Sequence, residues 1–304
     1  MTSLNLTENK KRPAYIILTI LALVIGLSFD FLYFNEPLIS AYVPFMIMVG
    51  FMFRSYLTSL FLSGLLVGLL YLASSYGWGF ELLLLRWLIL FIVPSVIQTL
   101  LKNMKKEREN LINLTAVLAE SLDARDKYTS YHSKNVAYYS SEIGKGMGLP
   151  TKICEILYVG GLLHDVGKIG VPEAILNKPS KLTDEEFEKI KQHPSIGYNM
   201  LKHIPDFRKN SILDIVLHHH ERFDGKGYPA RLKGEEIPLG ARITAIADAF
   251  DAMTSRRIYR DDKGLEYALN ELTNGENTQF DPEITKTFLS LIQAKKIIVR
   301  GHQD

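Results

Sequence analysis

The second half of the chain carries histidine and aspartate residues whose types and grouping suit metal binding. His164 and Asp165 are adjacent at the end of an apolar stretch, and His219 and His220 form a second adjacent pair. Side chains that follow a helix end can converge on one ion. The candidate ligands are more than one metal requires and enough for two: His132, His164, Asp165, His193, His219, His220 and Asp248.

One candidate, Asp248, stands in an otherwise apolar helical stretch. A carboxylate there is costly to bury unless it is paired or bound to a metal. A mixed set of imidazoles and carboxylates suits Fe or Mn and tolerates other divalent ions. Because two such ions can activate water and neutralise the charge of a phosphate ester, the set indicates a hydrolase with a two-metal centre.

Residues 125–304 must position these side chains, and their pattern is that of a mainly helical domain. Turn signals separate the helical stretches, including the glycine-rich segment 224–229. Thr183 and Glu186 are spaced as a capping box, which predicts a helix start. The predicted helices are 133–147, 151–163, 183–191, 194–203, 210–220, 240–254 and 263–273.

The connecting segment 102–124 contains no glycine or proline and is predicted to be one helix. Its apolar residues recur at spacings of three, four or seven, which leaves two interpretations open. The stripe could pair with the same helix of a second chain as a coiled coil, and we expect a homodimer through 102–124. Alternatively, the stripe packs on the domain that follows it. It consists of Leu101, Met104, Leu111, Leu114, Leu118 and Leu122.

Residues 13–101 are almost free of charge and predict a transmembrane region. Four apolar stretches, at 14–34, 38–53, 55–76 and 82–101, predict four spanning helices. Lysine and arginine lie before the first stretch, between the second and third, and after the fourth. The positive-inside rule then places both termini in the cytoplasm, with residues 1–12 as a cytoplasmic tail.

The net charge and the cysteine content limit which partners and which cellular compartment the sequence suggests. The net charge of +2 is too small to indicate DNA or RNA as a partner. Cys154 is the single cysteine, so the chain can form no internal disulfide, which fits a reduced compartment.

The motifs of the second half resemble those of the HD-GYP family, a branch of the metal-dependent HD phosphohydrolases. The resemblance covers about residues 115–295, in the family's order and with matching spacings. It implies an all-α catalytic domain, here 115–304, that hydrolyses the bacterial messenger cyclic di-GMP to pGpG and often on to GMP. The motifs are His132-Ser133, His164-Asp165-Val166-Gly167-Lys168, Lys191-Gln192-His193-Pro194, His219-His220-Glu221, Asp224-Gly225-Lys226-Gly227-Tyr228-Pro229 and Asp248-Ala249-Phe250-Asp251-Ala252-Met253-Thr254.

The resemblance also implies roles for individual residues. All seven candidates named above would be metal ligands, with Asp165 bridging two ions. Lys168 and Asp165 would be the catalytic residues. Asp251 could support a metal ligand or Lys168. Tyr228 is expected to shape the Gly-Tyr-Pro loop. This loop could contact a diguanylate cyclase-type protein. The residues expected to bind substrate are Lys168, Tyr228, Asp251, Arg257 and Arg260.

One position departs from the family's pattern. Some members hold a third metal with a glutamate four residues before the first histidine, and this chain has Tyr128 there. Tyrosine is a poor ligand for these metals, so we expect two ions. The second hydrolytic step, from pGpG to GMP, is in doubt with the third site.

The predicted fold class is mainly α: a four-helix transmembrane region followed by an all-α HD-GYP domain on the cytoplasmic side of a bacterial membrane. A membrane-anchored phosphodiesterase for cyclic di-GMP is the leading interpretation. The alternatives are a phosphodiesterase for another cyclic dinucleotide, a catalytically weak cyclic di-GMP receptor, and a nucleotide triphosphohydrolase. The complete ligand set argues against the receptor, and the Gly-Tyr-Pro motif argues against the triphosphohydrolase.

Overall fold

The computed structural model describes residues 4–33, 39–53, 55–74, 77–125, 131–254 and 264–299, with the side chains of 4–12 and 29–33 left out. These residues are mainly helical and include no β-strand. The mainly α fold class is therefore confirmed. The chain divides into two compact units, Met1–Asn110 and Leu111–Asp304, and one long helix runs through the boundary.

The first unit consists of four helices and a short 3-10 helix. The longest, α4, includes both the fourth apolar stretch and the predicted connecting helix. Its 44 residues extend over about 66 Å at 1.5 Å per residue. The elements are α1 (Leu4–Tyr33), a 3-10 helix (Ile39–Tyr42), α2 (Val43–Met52), α3 (Tyr56–Ala73) and α4 (Phe80–Asp123).

Two of these helices, α3 and α4, are long and apolar enough to cross a membrane. The other two apolar segments, Pro13–Ser28 and Ile39–Met52, are shorter. The ten residues of α2 extend over only about 15 Å, against a hydrocarbon core of about 30 Å. The structure therefore supports two candidate spans, and the four-span arrangement stays a prediction.

The second unit contains ten further helices among its described residues, together with two 3-10 helices. The α-helices are α5 (His132–Gly146), α6 (Thr151–Leu163), α7 (Glu173–Leu176), α8 (Asp184–Ile190), α9 (His193–Leu201), α10 (Pro205–Lys209), α11 (Ile212–His218), α12 (Leu239–Thr254), α13 (Gly264–Asn274) and α14 (Pro282–Gln293). The 3-10 helices are Val166–Gly170 and Gly234–Glu236.

The core of this unit is apolar and aromatic. Tyr139 of α5, Phe250 of α12 and Phe288 of α14 are fully buried. Their rings meet edge to face, with centroids 4.9 to 6.1 Å apart, an arrangement that aromatic pairs favour. Helix α5 also packs closely on α6 at Gly161, which has no side chain. A Cβ atom at this position would overlap the backbone of Ala137. These contacts hold the helices that carry the candidate ligands.

The predicted helices of the second unit are all present, with ends shifted by a few residues. The capping box is confirmed: the Thr183 hydroxyl accepts from the Glu186 amide, and the Glu186 carboxylate accepts from the Thr183 amide. Helix α14 was not predicted, although Asp281 caps it and Ile284, Phe288 and Ile292 recur every four residues on its buried face. The short helices α7 and α10 were also missed.

Candidate metal centre

Helix ends bring most of the candidate ligands together. His164 and Asp165 directly follow α6, and His219 and His220 directly follow α11. His132 and His193 are the first residues of α5 and α9, and Asp248 lies within α12. A side chain at a helix end is held by the rigid helix yet is not surrounded by it, so six ligands from four helices can meet at one place.

Gly167 allows the chain after Asp165 to approach α9. A Cβ atom at this position would overlap the carbonyl oxygen of His193 and the amide of Gly197. The backbone of the 3-10 helix Val166–Gly170 therefore lies directly against the start of α9. This close approach places Asp165 Oδ1 3.1 Å from His193 Nε2.

The donor atoms form two groups that share one residue. Atoms of the first group come from His132, His164 and Asp165, and those of the second from Asp165, His193, His219 and His220. Within each group the donor atoms lie within 4.8 Å of one another. Each group could hold one metal ion.

Asp165 faces the two groups with different oxygens. Its Oδ2 lies 3.3 Å from His164 Nε2 and 3.8 Å from His132 Nε2. Its Oδ1 lies 3.1 Å from His193 Nε2. A carboxylate in this position can give one oxygen to each of two ions.

Asp248 adds a second carboxylate to the first group. Its Oδ1 lies 3.2 Å from His132 Nε2 and 3.9 Å from His164 Nε2. The apolar stretch around it packs in the core of the unit, with Ala247 and Phe250 fully buried. Asp248, a carboxylate in an apolar stretch of α12, thus faces the candidate centre.

Hydrogen bonds on Nδ1 fix the orientation of four of the histidines. A carbonyl oxygen can only accept, so the Nδ1 facing one carries the proton and Nε2 keeps the lone pair that binds metals. In three cases the acceptor is the carbonyl three residues earlier, and in the fourth it is a carboxylate. The pairs are His164 with Gly161 at 2.8 Å, His193 with Ile190 at 2.8 Å, His219 with Val216 at 3.0 Å, and His132 with Asp251 at 2.7 Å.

The donor set fits divalent metal ions. His164 is fully buried, and its Nε2 makes no hydrogen bond although it points at two carboxylates. A buried polar atom without a partner is costly, and a metal ion would satisfy this nitrogen and the carboxylates together. Imidazole and carboxylate donors suit Fe, Mn and other divalent ions, and do not select among them.

The two groups differ in their charge without metal. Burial lowers the pKa of His219 well below its usual value and that of His220 to about 4, so both are neutral at pH 7. Burial also opposes the charge on His132, but hydrogen bonds to Asp248 and Asp251 raise its pKa to about 10. Burial likewise opposes the charge on Asp165, yet the nearby Lys168 and His164 hold the pKa of this carboxyl well below its usual range.

Lys168 lies next to the shared carboxylate. Its Nζ is 2.6 Å from Asp165 Oδ2, and its side chain is 22% exposed. The ammonium group therefore lies at the rim of the centre, with one side towards Asp165 and part of its surface open to solvent. The contact of Lys168 with a bound phosphate stays a prediction.

Tyr228 covers His220 from the Gly-Tyr-Pro loop. The two ring centroids are 4.8 Å apart, and the Tyr228 amide donates to the His220 carbonyl at 3.2 Å. The loop folds back tightly, because a Cβ atom on Gly227 would overlap the backbone of Glu221 and Arg222. Tyr228 thus lies against a candidate ligand, and its contact with substrate stays a prediction.

Glu221 is a site residue for which the sequence suggested no role. It is buried, and its carboxylate accepts from the amides of Ala230 at 2.6 Å and Leu232 at 3.2 Å. These bonds hold the Gly-Tyr-Pro loop against the end of α11. The sequence feature that could have indicated a role for Glu221 is its position immediately after two candidate ligands, His219 and His220.

Other expected site residues have different placements. Asp251 is fully buried behind His132, so it supports a candidate ligand, and its placement leaves no surface for the substrate contact also expected of it. The Nδ1 atom of His218, the residue before the His219-His220 pair, lies 3.7 Å from Glu221 Oε1. Tyr128, Arg257 and Arg260 lie outside the described residues.

Most of the second half of the chain is similar to known proteins. Residues 108–284, more than half of the chain, match the HD domain family. A cyclic di-GMP phosphodiesterase of Thermotoga maritima is 39% identical over 199 residues, covering 64% of this chain and 53% of that protein. The 3'3'-cGAMP-specific phosphodiesterase 2 of Vibrio cholerae is 35% identical over 182 residues, covering 60% and 35%.

A solved structure extends the comparison to the fold. The cyclic GMP-AMP phosphodiesterase V-cGAP3 of Vibrio cholerae matches with a TM-score of 0.50 and 19% identity, covering 61% of this chain and 49% of that one. The chain spans about half the length or less of these relatives. The match over residues 108–284 shows that the chain belongs to the HD domain family.

Proposed function

We propose that this chain is a membrane-anchored, metal-dependent phosphodiesterase of the HD-GYP branch that hydrolyses cyclic di-GMP to pGpG. The observation that carries the proposal is the position of Asp165 between two donor groups, with a different oxygen facing each. This arrangement suits two neighbouring metal ions, and two-metal sites are common in phosphodiester hydrolysis.

The two groups would hold two divalent ions, Fe or Mn in the first instance. His132, His164 and Asp248 would bind one, His193, His219 and His220 the other, and Asp165 both. When bound, such ions lower the pKa of water and neutralise charge on the phosphate. The chain's own contribution is orientation: hydrogen bonds on Nδ1 hold the imidazoles of His132, His164, His193 and His219 with Nε2 towards the donor groups.

Lys168 and Tyr228 would complete the active site. The Lys168 ammonium can meet a phosphate oxygen of the substrate while it remains close to Asp165. Tyr228 fixes the ring of His220 and forms one wall. Arg257 and Arg260, which lie outside the described residues, stay predicted phosphate contacts. Arginine suits this role, since its planar guanidinium can donate two hydrogen bonds to phosphate oxygens.

A second candidate function is hydrolysis of a different cyclic dinucleotide. Some relatives are named cyclic di-GMP phosphodiesterases and others 3'3'-cGAMP-specific phosphodiesterases, at similar identity to this chain. The same metal centre would serve both, since the two substrates share the phosphodiester ring and differ in one base. We place cyclic di-GMP first because cyclic di-GMP phosphodiesterases of Thermotoga maritima and Pseudomonas aeruginosa are 39% and 40% identical to this chain.

The membrane location rests on the exposed surface of the first unit. Large apolar side chains of α1, α3 and α4 are exposed along most of their apolar lengths. Such a surface is unfavourable in water and suits lipid. We propose a multi-pass anchor in a bacterial cytoplasmic membrane, with both termini and the HD domain on the cytoplasmic side.

Dimerisation through α4 is part of the proposal. Leu111, Leu114 and Leu118 are 53%, 63% and 62% exposed, whereas Leu122, the last residue of the stripe, packs against the core of its own unit. The exposed part of the stripe, from Leu111 to Leu118, is therefore available to a second copy. We also propose that the Gly-Tyr-Pro loop, whose Lys226 and Pro229 are exposed, contacts a diguanylate cyclase-type protein.

Cross-linking of the full chain in nanodiscs tests the dimer. Leu118→Glu places a charge on the stripe and should reduce the cross-linked dimer by about tenfold, the effect of roughly 1.4 kcal/mol. Asn113→Glu, on the same helix but off the stripe, is the control. An unchanged dimer yield in Leu118→Glu would assign the interface to another surface.

Turnover by the full chain tests the function. The protein, loaded with Mn²⁺ or Fe²⁺ without oxygen, is incubated with cyclic di-GMP and separately with 3'3'-cGAMP, and products are separated by chromatography. We expect pGpG from cyclic di-GMP, and no product with Asp165→Asn. Asp206→Asn, an exposed aspartate of α10, should keep full activity.

The outcomes separate the candidates. Faster cleavage of 3'3'-cGAMP would select the second candidate, and metal binding without cleavage of either substrate would favour a receptor. Accumulation of pGpG without GMP would agree with two ions and with Tyr128 in place of a third ligand. A chain that binds no metal would contradict the proposed function.

A further inference from the structure

We infer that the C-terminal end of α4 positions the metal centre through two residues, Asp123 and Arg125. Neither belongs to the donor groups, and each contacts a segment that carries a site residue. The inference rests on the proposed function, since it concerns the same metal centre.

Asp123, the last residue of α4, is buried and binds the first turn of α5 with both carboxylate oxygens. Oδ2 accepts from the Ser133 amide at 3.0 Å, and Oδ1 accepts from the Ser133 hydroxyl at 2.8 Å. Burial raises the pKa of this carboxyl, and the bonds from Ser133 oppose that rise. A buried carboxylate is costly unless it is hydrogen-bonded, so the two bonds hold α4 and α5 together.

This contact replaces a helix cap. The residue before α5, Tyr131, has a left-handed backbone with φ 65° and supplies no side-chain cap. The first amides of a helix need acceptors, and a carboxylate is favourable at a helix N-terminus. Asp123 supplies the acceptor from a different helix, next to His132, the first residue of α5 and a candidate ligand.

His132 is therefore fixed from two sides. Asp251 holds its Nδ1 at 2.7 Å, and the Asp123–Ser133 pair holds the backbone that carries it. An ion pair between Glu120 and Lys134 adds a second, more exposed link between the same two helices. Displacement of the end of α4 would move His132 relative to Asp165.

Arg125, two residues after Asp123, reaches the segment that carries Lys168. Its guanidinium donates to the carbonyls of Ile169 at 2.9 Å and Val171 at 3.3 Å. Asn177 in turn donates to the Arg125 carbonyl at 3.1 Å. The chain just past α4 is thus tied to the 3-10 helix Val166–Gly170, whose N-terminal neighbour is Asp165.

These contacts predict a selective effect on metal binding. Loss of the Asp123 carboxylate loosens His132 of the first donor group and leaves His193, His219 and His220 untouched. Changes in residues that orient metal ligands lower metal affinity by about 10- to 100-fold. We expect Asp123→Ala to bind one ion as the wild type does and the other about 10- to 100-fold more weakly.

The experiment measures metal binding by the full chain in nanodiscs. Wild type, Asp123→Ala and the control Asp206→Ala are titrated with Mn²⁺, and ions per chain are counted after dialysis. Far-UV circular dichroism checks the helical content of each variant. Arg125→Ala is tested for turnover, with both ions expected to bind and kcat expected to fall about tenfold without a matching rise in KM.

Two ions bound by Asp123→Ala with wild-type affinity would overturn the inference. If Asp123→Ala does not fold, Ser133→Ala removes only the hydroxyl contact. A loss of affinity at one site in that variant supports the inference, and no change contradicts it. Failure of the wild type to bind metal would instead contradict the proposed function, so the two failures are distinguishable.

Discussion

The two compact units place polar and apolar side chains in opposite ways. In the first unit, large apolar side chains such as Leu57, Phe61 and Leu72 are exposed, while Ser59 and Ser63 are fully buried. In the second unit the buried cluster consists of aliphatic and aromatic side chains. The first unit therefore exposes apolar side chains, whose contact with water is unfavourable, whereas the second buries its apolar cluster.

Helix α4 changes the character of its exposed surface along its length. Within the first unit it exposes apolar side chains such as Leu85 and Ile92, and nearer Asn110 it exposes charged ones such as Lys105 and Glu109. Lys105 and Glu109 form an ion pair at 3.6 Å with both side chains about half exposed. The exposed surface therefore changes from apolar to charged within one continuous helix.

We expect the largest difference in stability between the two units where backbones approach each other. Substitution of one glycine in each unit tests this expectation. Gly167→Ala in the second unit would push a methyl group into the backbone of α9 and separate Asp165 from His193. We expect loss of bound metal and activity, and destabilisation by more than about 4 kcal/mol. Metal content and thermal unfolding measure both effects.

Gly68→Ala in α3 is the matched variant from the first unit. No atom lies within 4 Å of a Cβ at this position. Alanine favours a helix over glycine by about 1 kcal/mol, so stability should be unchanged or slightly higher. Similar losses in both variants would show that the two units are packed equally tightly.

The aromatic core gives the next largest contrast. Phe288→Ala removes a fully buried ring that contacts Phe250 and Tyr139, and we expect a loss of about 3–5 kcal/mol. Phe61→Ala, on the exposed face of α3, should cost about 0.5 kcal/mol or less. Thermal unfolding of the full chain in detergent compares the two. A larger loss from Phe61→Ala would mean that the exposed face is covered by protein.

The sequence could predict the donor residues but not what holds them. His164-Asp165 and His219-His220 are adjacent pairs, so their chemistry is visible in short segments. Asp123 accepts hydrogen bonds from Ser133, ten residues further along the chain, and this contact depends on how α4 packs on α5. Glu221 likewise acts on amides about ten residues away, at distances that only the folded loop sets.

The fold shows a similar division. Hydropathy predicted four membrane spans, and the ends of the second were set by its composition alone. The structure starts that segment with a 3-10 helix and leaves α2 only ten residues, because local turn geometry competes with the apolar pattern. Helix α14 was readable in principle, since Asp281 and Pro282 mark its start.

A charge on the exposed face separates the two solvents directly. Leu65, in the middle of α3, and Leu265, on α13, are 50% and 40% exposed. Arginine at the centre of a membrane helix costs about 2.5–3.5 kcal/mol, whereas a surface change in water is usually within about 0.5 kcal/mol. Leu65→Arg should therefore reduce the protein recovered in the membrane fraction, and Leu265→Arg should not. Equal recovery of both variants would argue against lipid around α3.

The smallest expected effect concerns the polar interior of the first unit. Gln98 of α4 donates from Nε2 to the Phe53 carbonyl at 2.9 Å and to the Ser59 hydroxyl at 2.7 Å. Hydrogen bonds between membrane helices contribute about 0.6 kcal/mol on average and up to about 1.7 kcal/mol. Gln98→Leu should therefore lower the stability of the detergent-solubilised chain by about 1 kcal/mol, measured by unfolding in increasing denaturing detergent. Leu100→Ala, exposed on the same helix, is the control and should change little. If Gln98→Leu instead stabilises the chain, the buried polar contacts do not hold the first unit together, and packing alone must account for its fold.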